Sequence, residues 1–243
     1  MFNQIYEIES QIEERHWWFV VRRKLFTRYI NALNLNKNNA KILDIGSSSG
    51  TNLRMLKDLG FVDYQGFDNN YLSKKFCEKK DLGKVTIGDI CENNFADNSF
   101  DLILASDVIE HIENDNLAIA QIRRILKPSG CAIITVPCFK QLWGFHDEQA
   151  MHKRRYLLEE ISQKITQQNL QIIESYYFNF ILFLPIFLFR KITKILKIKP
   201  ASENRVNNDF LNKFLQKIFT IDVLLACKIK SPYGVSAFLL VRK

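Results

Sequence analysis

The chain has 243 residues, 47% of them hydrophobic, enough to bury a substantial core in one domain of generous size. Its five cysteines (Cys77, Cys91, Cys131, Cys138 and Cys227) are scattered without a C-x-x-C pair, which argues against a disulfide framework or zinc ribbon and fits a reducing, cytoplasmic compartment. The net charge of +8 belongs to one region: residues 186–243 hold 12 Lys and Arg against 3 Asp and Glu, whereas residues 1–185 hold 22 against 23.

The first 39 residues read as helical, with Trp17, Trp18 and Phe19 beside Arg22 and Arg23, and their early acids and lack of an apolar stretch argue against a secretory signal. From residue 40 strand-like and helix-like segments alternate. The strand candidates are Lys41–Ile45, Asp63–Phe67, Lys84–Ile87, Phe100–Ala105, Cys131–Val136, Leu170–Tyr177 and Ser236–Val241. Between the fourth and fifth, Ala118, Ile122, Ile125 and Leu126 share one helical face, with Asp115 as the expected N-cap and Lys127–Gly130 as the stop. Such alternation implies a parallel, doubly wound sheet, whose ligands sit beyond the carboxyl ends of the strands.

The loop after the first strand, Gly46-Ser47-Ser48-Ser49-Gly50, meets neither the G-x-G-x-x-G dinucleotide pattern nor a Walker loop, so a ligand without a phosphate suits it better. Asp44, Asp68 and Asp89 stand at the ends of three successive strands. Together they suit a ligand carrying an ammonium, a ribose and an adenine; S-adenosylmethionine has all three, plus a sulfonium.

Here the chain resembles the class I S-adenosylmethionine-dependent methyltransferases. Their D-x-G-x-G-x-G motif is matched by Asp44, Gly46 and Gly50, with Ser48 in place of the middle glycine; "GFDNN", "GDI", "FDLILASDVIEHI" and "LKPSGCAIITVP" match further on. The resemblance implies an α/β fold with a seven-stranded Rossmann-like sheet. It is expected as one domain over 1–243: a helical cap at 1–39, the core sheet at 40–178 and 234–243, and a helical insertion at 179–233. It also implies S-adenosylmethionine as cofactor, held by Asp44, Gly46, Ser47, Ser48, Gly50, Asp68, Asn69, Asp89, Ile90 and Ser106.

Methyl transfer from a sulfonium needs an aligned acceptor, a dry site and, for a hydroxyl, a base. His111 is one candidate base. Asp107, Glu110 and His111 also fall in a D-x-x-E-H spacing able to take a divalent cation, but the simpler reading is a histidine packed beside the cofactor, and no metal is expected. "LWGFHDEQAMHKRRY" adds His146, Asp147 and His152 as catalytic candidates, with Trp143, Arg154, Arg155 and Tyr156 on the substrate side. Trp17 and Trp18 are expected to roof the pocket, and Cys138 to be structural. The pairing of "HWWFVVRR" with "HD…H.RRY" is similar to a bacterial subgroup, many of whose members sit among enzymes building envelope glycans and lipids.

Between the last two strand candidates lies a basic, apolar stretch. Leu188, Ile192, Ile195 and Leu196 face away from Arg190, Lys194 and Lys197; further on, Leu211, Phe214, Leu215 and Ile218 oppose Lys213 and Lys217. The uncharged run at 176–189 is too short to span a bilayer and is interrupted by Pro185. Residues 180–228 are therefore expected to lie on an anionic membrane face rather than bind nucleic acid; a cap packed on the domain or on a second subunit is the alternative. The expected activity is O-methylation of a hydrophobic or lipid-linked acceptor at the inner membrane face with a histidine base. The alternatives are C- or N-methylation of a soluble metabolite, or a non-catalytic cofactor-binding scaffold.

Overall fold

The computed structural model describes residues 2–196 and 208–243. Its sheet is built from β1 (Lys41–Ile45), β2 (Asp63–Asp68), β3 (Val85–Ile87), β4 (Phe100–Ser106), β5 (Leu126–Pro137), β6 (Gln171–Phe178) and β7 (Ser236–Arg242). The spatial order is β3-β2-β1-β4-β5-β7-β6, parallel from β3 to β5, with β7 antiparallel to both β5 and β6. Strand order reverses between β1 and β4, so a crevice opens above their carboxyl ends.

Both faces of the sheet are covered, which is why the central strands are apolar on both sides. Along β1 and β4, Ile42, Leu102 and Leu104 join one core cluster, while Leu43, Ile45, Ile103 and Ala105 join the other. The first cluster is closed by α2 (Trp17–Ala32), α3 (Thr51–Asp58) and α9 (Asp209–Ile229). The second is closed by α5 (Asp115–Ile125) and α7 (Leu158–Gln167). The remaining helices are α1 (Phe2–Ile12), α4 (Tyr71–Lys79), α6 (Phe145–Gln149) and α8 (Phe183–Ile195).

Three local expectations are corrected. Asn114, not Asp115, caps α5, its side chain accepting from the Leu117 N–H at 3.0 Å. α5 does stop at Ile125, just ahead of Lys127–Gly130, but β5 starts at Leu126 rather than Cys131, and its pairing with β4 shifts register between Phe100 and Leu102. A Cβ on Gly130 would stand 2.9 Å from the Lys127 carbonyl oxygen, so the bend needs glycine. Pro185 does not interrupt the run either; it lies in the first turn of α8, where its missing N–H is harmless.

The segment between β6 and β7 forms α8 and α9; Lys197 lies outside the described residues. The inner face of α9 packs on α2. Trp18 stacks on Phe178 and Phe219 with centroids 5.7 and 5.0 Å apart, and Asn212 accepts from the Trp17 N–H at 2.8 Å. Buried Asp222 accepts from the Asn179 and Ile181 backbone N–H groups, fixing the chain where it leaves β6. The outer faces stay apolar and exposed: Ile195 is 76% and Phe210 78% exposed, with Leu188, Ile192, Phe214 and Ile221 about half exposed. Among the described residues no helix is long and apolar enough to cross a membrane.

Candidate functional site

A cavity of about 580 Å³ runs along the carboxyl ends of the strands. Above β1, β2 and β3 its floor comprises Gly46 and Ser48, then Asp68 and Asn69, then Asp89 and Ile90; Ser106 and Asp107 follow at the end of β4. α1 and the start of α2 form a roof through Tyr6, Glu9, Glu13, His16, Trp17, Trp18 and Arg22. Above β5, β6 and β7 the cavity continues between Glu110, His111, His146, His152, Arg155, Asn179, Arg190 and Ser236.

The loop after β1 is tight for specific reasons. Gly46 has φ +72°, and a Cβ there would meet Val108 at 2.4 Å; Gly50, at φ +84°, precedes α3 and leaves no room beside Cys77 and Leu82. Ser48 also holds a left-handed φ of +46°, a conformation costing an L-residue about 1–2 kcal/mol. That turn aims the Ser48 N–H at Asp68 Oδ2, 2.9 Å away. Asp68 Oδ1 accepts from the Asn70 N–H at 2.8 Å and from the Tyr6 hydroxyl at 2.9 Å, so roof and floor meet on one carboxylate. Burial pushes Asp68 above the ordinary aspartate range, against the pull of these donors. Asp89 lines the cavity while capping the Cys91 N–H at 2.8 Å.

Not every expected cofactor residue reaches the cavity. Asp44 is fully buried beneath the loop, accepting from Asn52 Nδ2 at 3.1 Å, and burial drives its carboxyl up to about 7. Ser47 is buried against Ser73, and Gly50 acts through backbone geometry. The roof supplies groups that no sequence motif singled out. Glu13 accepts from the Ser49 hydroxyl and, at 3.3 Å, from Thr51, tying α1 to the start of α3. Burial, with Glu13 nearby, pushes Glu9 up to about 8. Arg22 pairs with Asp107, whose other oxygen accepts from the Thr135 hydroxyl at 3.1 Å.

The far half is organised by Asp147. This fully buried carboxylate accepts from His152 Nδ1 and Arg155 Nε, each at 2.8 Å, and from Arg155 Nη2 at 3.0 Å; Arg190 stands 3.5 Å away. Burial alone would raise its pKa, but His152, Arg155 and Arg190 together hold it well below the usual carboxylate range. Asp147 is therefore a positioning group, off the cavity wall. His152 consequently turns Nε2 toward Glu110, 3.9 Å from Oε1. His111 packs edge-on against His152 with centroids 4.6 Å apart; burial, then His152, lower its pKa to about 3. Burial, then His146, likewise lowers His16 to about 4. Glu110 is fully buried with neither carboxylate oxygen hydrogen-bonded, and burial and Asp107 push it well above its ordinary value.

Three substrate-side expectations are corrected. Arg154 and Tyr156 turn away to Asp115, at 3.1 and 2.8 Å, a buried carboxylate at the start of α5 that Lys164 of α7 also meets. Trp143 is half-buried outside the cavity lining. Arg155 reaches the lining, but its guanidinium is committed to Asp147 and the Cys138 carbonyl. Trp17 and Trp18 line the cavity and pack the α2–α9 contact at once. Cys138 is fully buried and burial raises its thiol pKa well above normal, so it is no nucleophile. Asn179 and Arg190 also line the cavity but lie in the insertion, where no motif marks them.

The sheet has the Rossmann-like methyltransferase fold of the solved structures named below, here with acids at the tips of β2 and β3 and a glycine-bounded loop after β1. Residues 43–134 match the family model described as a methyltransferase domain. Over 159 residues the chain is 28% identical to the phosphoethanolamine N-methyltransferase of Plasmodium falciparum, covering 61% of this chain and 59% of that protein. A second relative, phosphoethanolamine N-methyltransferase 2 of Caenorhabditis elegans, is 35% identical over 39% of this chain and 23% of its own length. The chain thus spans less than two thirds of these curated relatives. Among solved structures, a Galdieria sulphuraria protein proposed to be a sarcosine dimethylglycine methyltransferase superposes with a TM-score of 0.64 at 16% identity, covering 93% of this chain and 86% of that one. Phosphoethanolamine N-methyltransferase 2 of Haemonchus contortus, in complex with S-adenosyl-L-methionine, gives 0.58 at 20% identity, covering 88% and 51%. Residues 43–134 thus form a methyltransferase domain within a class I S-adenosylmethionine-dependent methyltransferase fold, with S-adenosylmethionine as the cofactor of that domain.

Proposed function

We propose that the chain transfers the methyl group of S-adenosylmethionine to a hydroxyl of a hydrophobic or lipid-linked acceptor. The observation that carries this reading is a single cavity with carboxylates at the strand tips in one half and four histidines, His16, His111, His146 and His152, in the other. With Asp68 and Asp89 receiving the ribose and adenine, the sulfonium points from the tip of β4 into the histidine half. His111 and His16 are neutral at physiological pH and too weakly basic to take a hydroxyl proton well. His152 is turned toward Glu110. His146, on the cavity wall beside them, is assigned as the base, with Asp147 positioning the cluster.

The acceptor's apolar part is assigned to α8. Ile186 and Phe189 line the cavity, while Leu184, Leu188 and Ile192 on the same helix are exposed. With Lys191 and Lys194 on α8 and Lys213 and Lys217 on α9, this surface suits peripheral contact with an anionic bilayer. Glu110 favours a second reading, an amino acceptor, since a buried carboxylate without a hydrogen bond would pair with a substituted ammonium. Calorimetric titration with S-adenosylmethionine and its demethylated product tests the enzyme reading, and binding of neither would contradict it. Mass spectrometry of lipid extracts with and without the protein then seeks the added methyl. Flotation with anionic liposomes tests the surface, and a protein that stays at the bottom of the gradient contradicts it.

A further inference from the structure

We propose that Glu110, His111 and His152 form a binding site for one divalent transition-metal ion at the histidine end of the cavity. The inference goes beyond methyl transfer and does not rest on it.

Three observations carry it. One ligand atom from each residue lies within 4.8 Å of the others. Ligand atoms around an ion at about 2.0–2.2 Å stand roughly 3–3.5 Å apart, so a small inward movement of side chains closes the shell. Second, Glu110 is fully buried, lines the cavity, and has no hydrogen bond to either carboxylate oxygen. A buried carboxylate in that state costs several kcal/mol unless a cation or a proton compensates it. The guanidinium groups nearby are engaged elsewhere, Arg155 on Asp147 and Arg22 on Asp107.

Third, His152 already has the outer support of a ligating imidazole. Its Nδ1 meets Asp147 Oδ1 at 2.8 Å, and Nε2 looks toward Glu110 across 3.9 Å, too far for a hydrogen bond. A carboxylate behind Nδ1 fixes the tautomer that leaves the Nε2 lone pair free for metal. The ligands come from two places. Glu110 and His111 share the short turn after β4, and His152 lies between α6 and α7. Asp107, although spaced for a contiguous motif, is outside the set, held by Arg22 and Thr135.

Two imidazoles and one carboxylate select a first-row transition ion such as Zn²⁺ over Mg²⁺ or Ca²⁺. All three residues line the cavity, so a hydroxyl, phosphate or carboxylate oxygen of an acceptor is the ligand class that would complete the shell. Such an ion would lower the pKa of a bound hydroxyl and assist the proton transfer assigned to His146.

The test uses chelator-stripped full-length protein titrated with Zn²⁺ by calorimetry and with Co²⁺ by visible absorption. One ion per chain is expected, with Co²⁺ ligand-field bands. Glu110→Gln and His152→Gln should each weaken binding by about 10- to 100-fold. Thermal melts of both variants report folding, and either folded variant suffices to judge the site. The proposal is overturned by no Zn²⁺ uptake at about 0.1 mM, by stoichiometric uptake that both substitutions leave intact, or by loss of tetramethylammonium binding in Glu110→Gln without any metal uptake.

Discussion

The two halves of the cavity are built on opposite plans. Above β1, β2 and β3, each wall is a short loop following its own strand, and the lining residues are neighbours in sequence: Gly46 and Ser48, Asp68 and Asn69, Asp89 and Ile90. Above β5, β6 and β7, one wall combines Glu110, His152, Asn179 and Arg190 from four segments, with His152 and Arg190 tied into a buried charge network around Asp147. A backbone-built half tolerates side-chain exchange and is sensitive to loop geometry; a network-built half fails as a unit.

The largest effect should therefore fall on the network. Asp147→Ala removes the carboxylate that buried Arg155 meets through two nitrogens and is expected to lower stability by about 3–5 kcal/mol in denaturant unfolding. A loss below about 1 kcal/mol would show that the two halves do not differ in this way.

Next comes Asp44, beneath the cofactor loop. Its folded pKa, about 7, is raised above the unfolded value, so its contribution is fully present below about pH 4 and is lost as pH rises through 7. The ligand-free protein should lose melting temperature between pH 5 and 8. Asp44→Asn should flatten that slope, by about 2–4 °C for each kcal/mol recovered. An unchanged slope would place the titration elsewhere.

Asp68→Ala follows. Removing a carboxylate assigned to the ribose should weaken S-adenosylmethionine binding about 10- to 100-fold by calorimetry. An unchanged affinity would move the cofactor away from the tip of β2. Smallest of all is Ser48→Gly. It relieves a left-handed backbone and removes a buried hydroxyl that has no hydrogen bond, for a gain of up to about 1 kcal/mol in thermal unfolding. A destabilised variant would mean the serine holds the loop.

This contrast also explains what could be read from the amino acids alone. Strand alternation and the order of acids at strand ends are local signals, so the sheet, its crossovers and the class of cofactor were legible. Arg154 and Tyr156 were misplaced because proximity in sequence to His152 says nothing about which way a side chain turns. A buried acid on α5, Asp115, captured both. Asn179, Arg190 and the N-terminal acids Glu9 and Glu13 carry no motif at all; they join the cavity through tertiary packing of α1, α8 and α9. The one available hint was the basic pair in "HWWFVVRR", whose Arg22 does reach the end of β4.

The claim on which the rest depends is a continuous chamber in which the donor's sulfur faces the histidines. A crystal of the full chain with S-adenosylhomocysteine examines it directly. The ribose hydroxyls should lie within hydrogen-bond distance of Asp68, with the sulfur opening toward His146 and Glu110. A nucleoside bound elsewhere, or a sulfur directed away from that wall, would contradict the account.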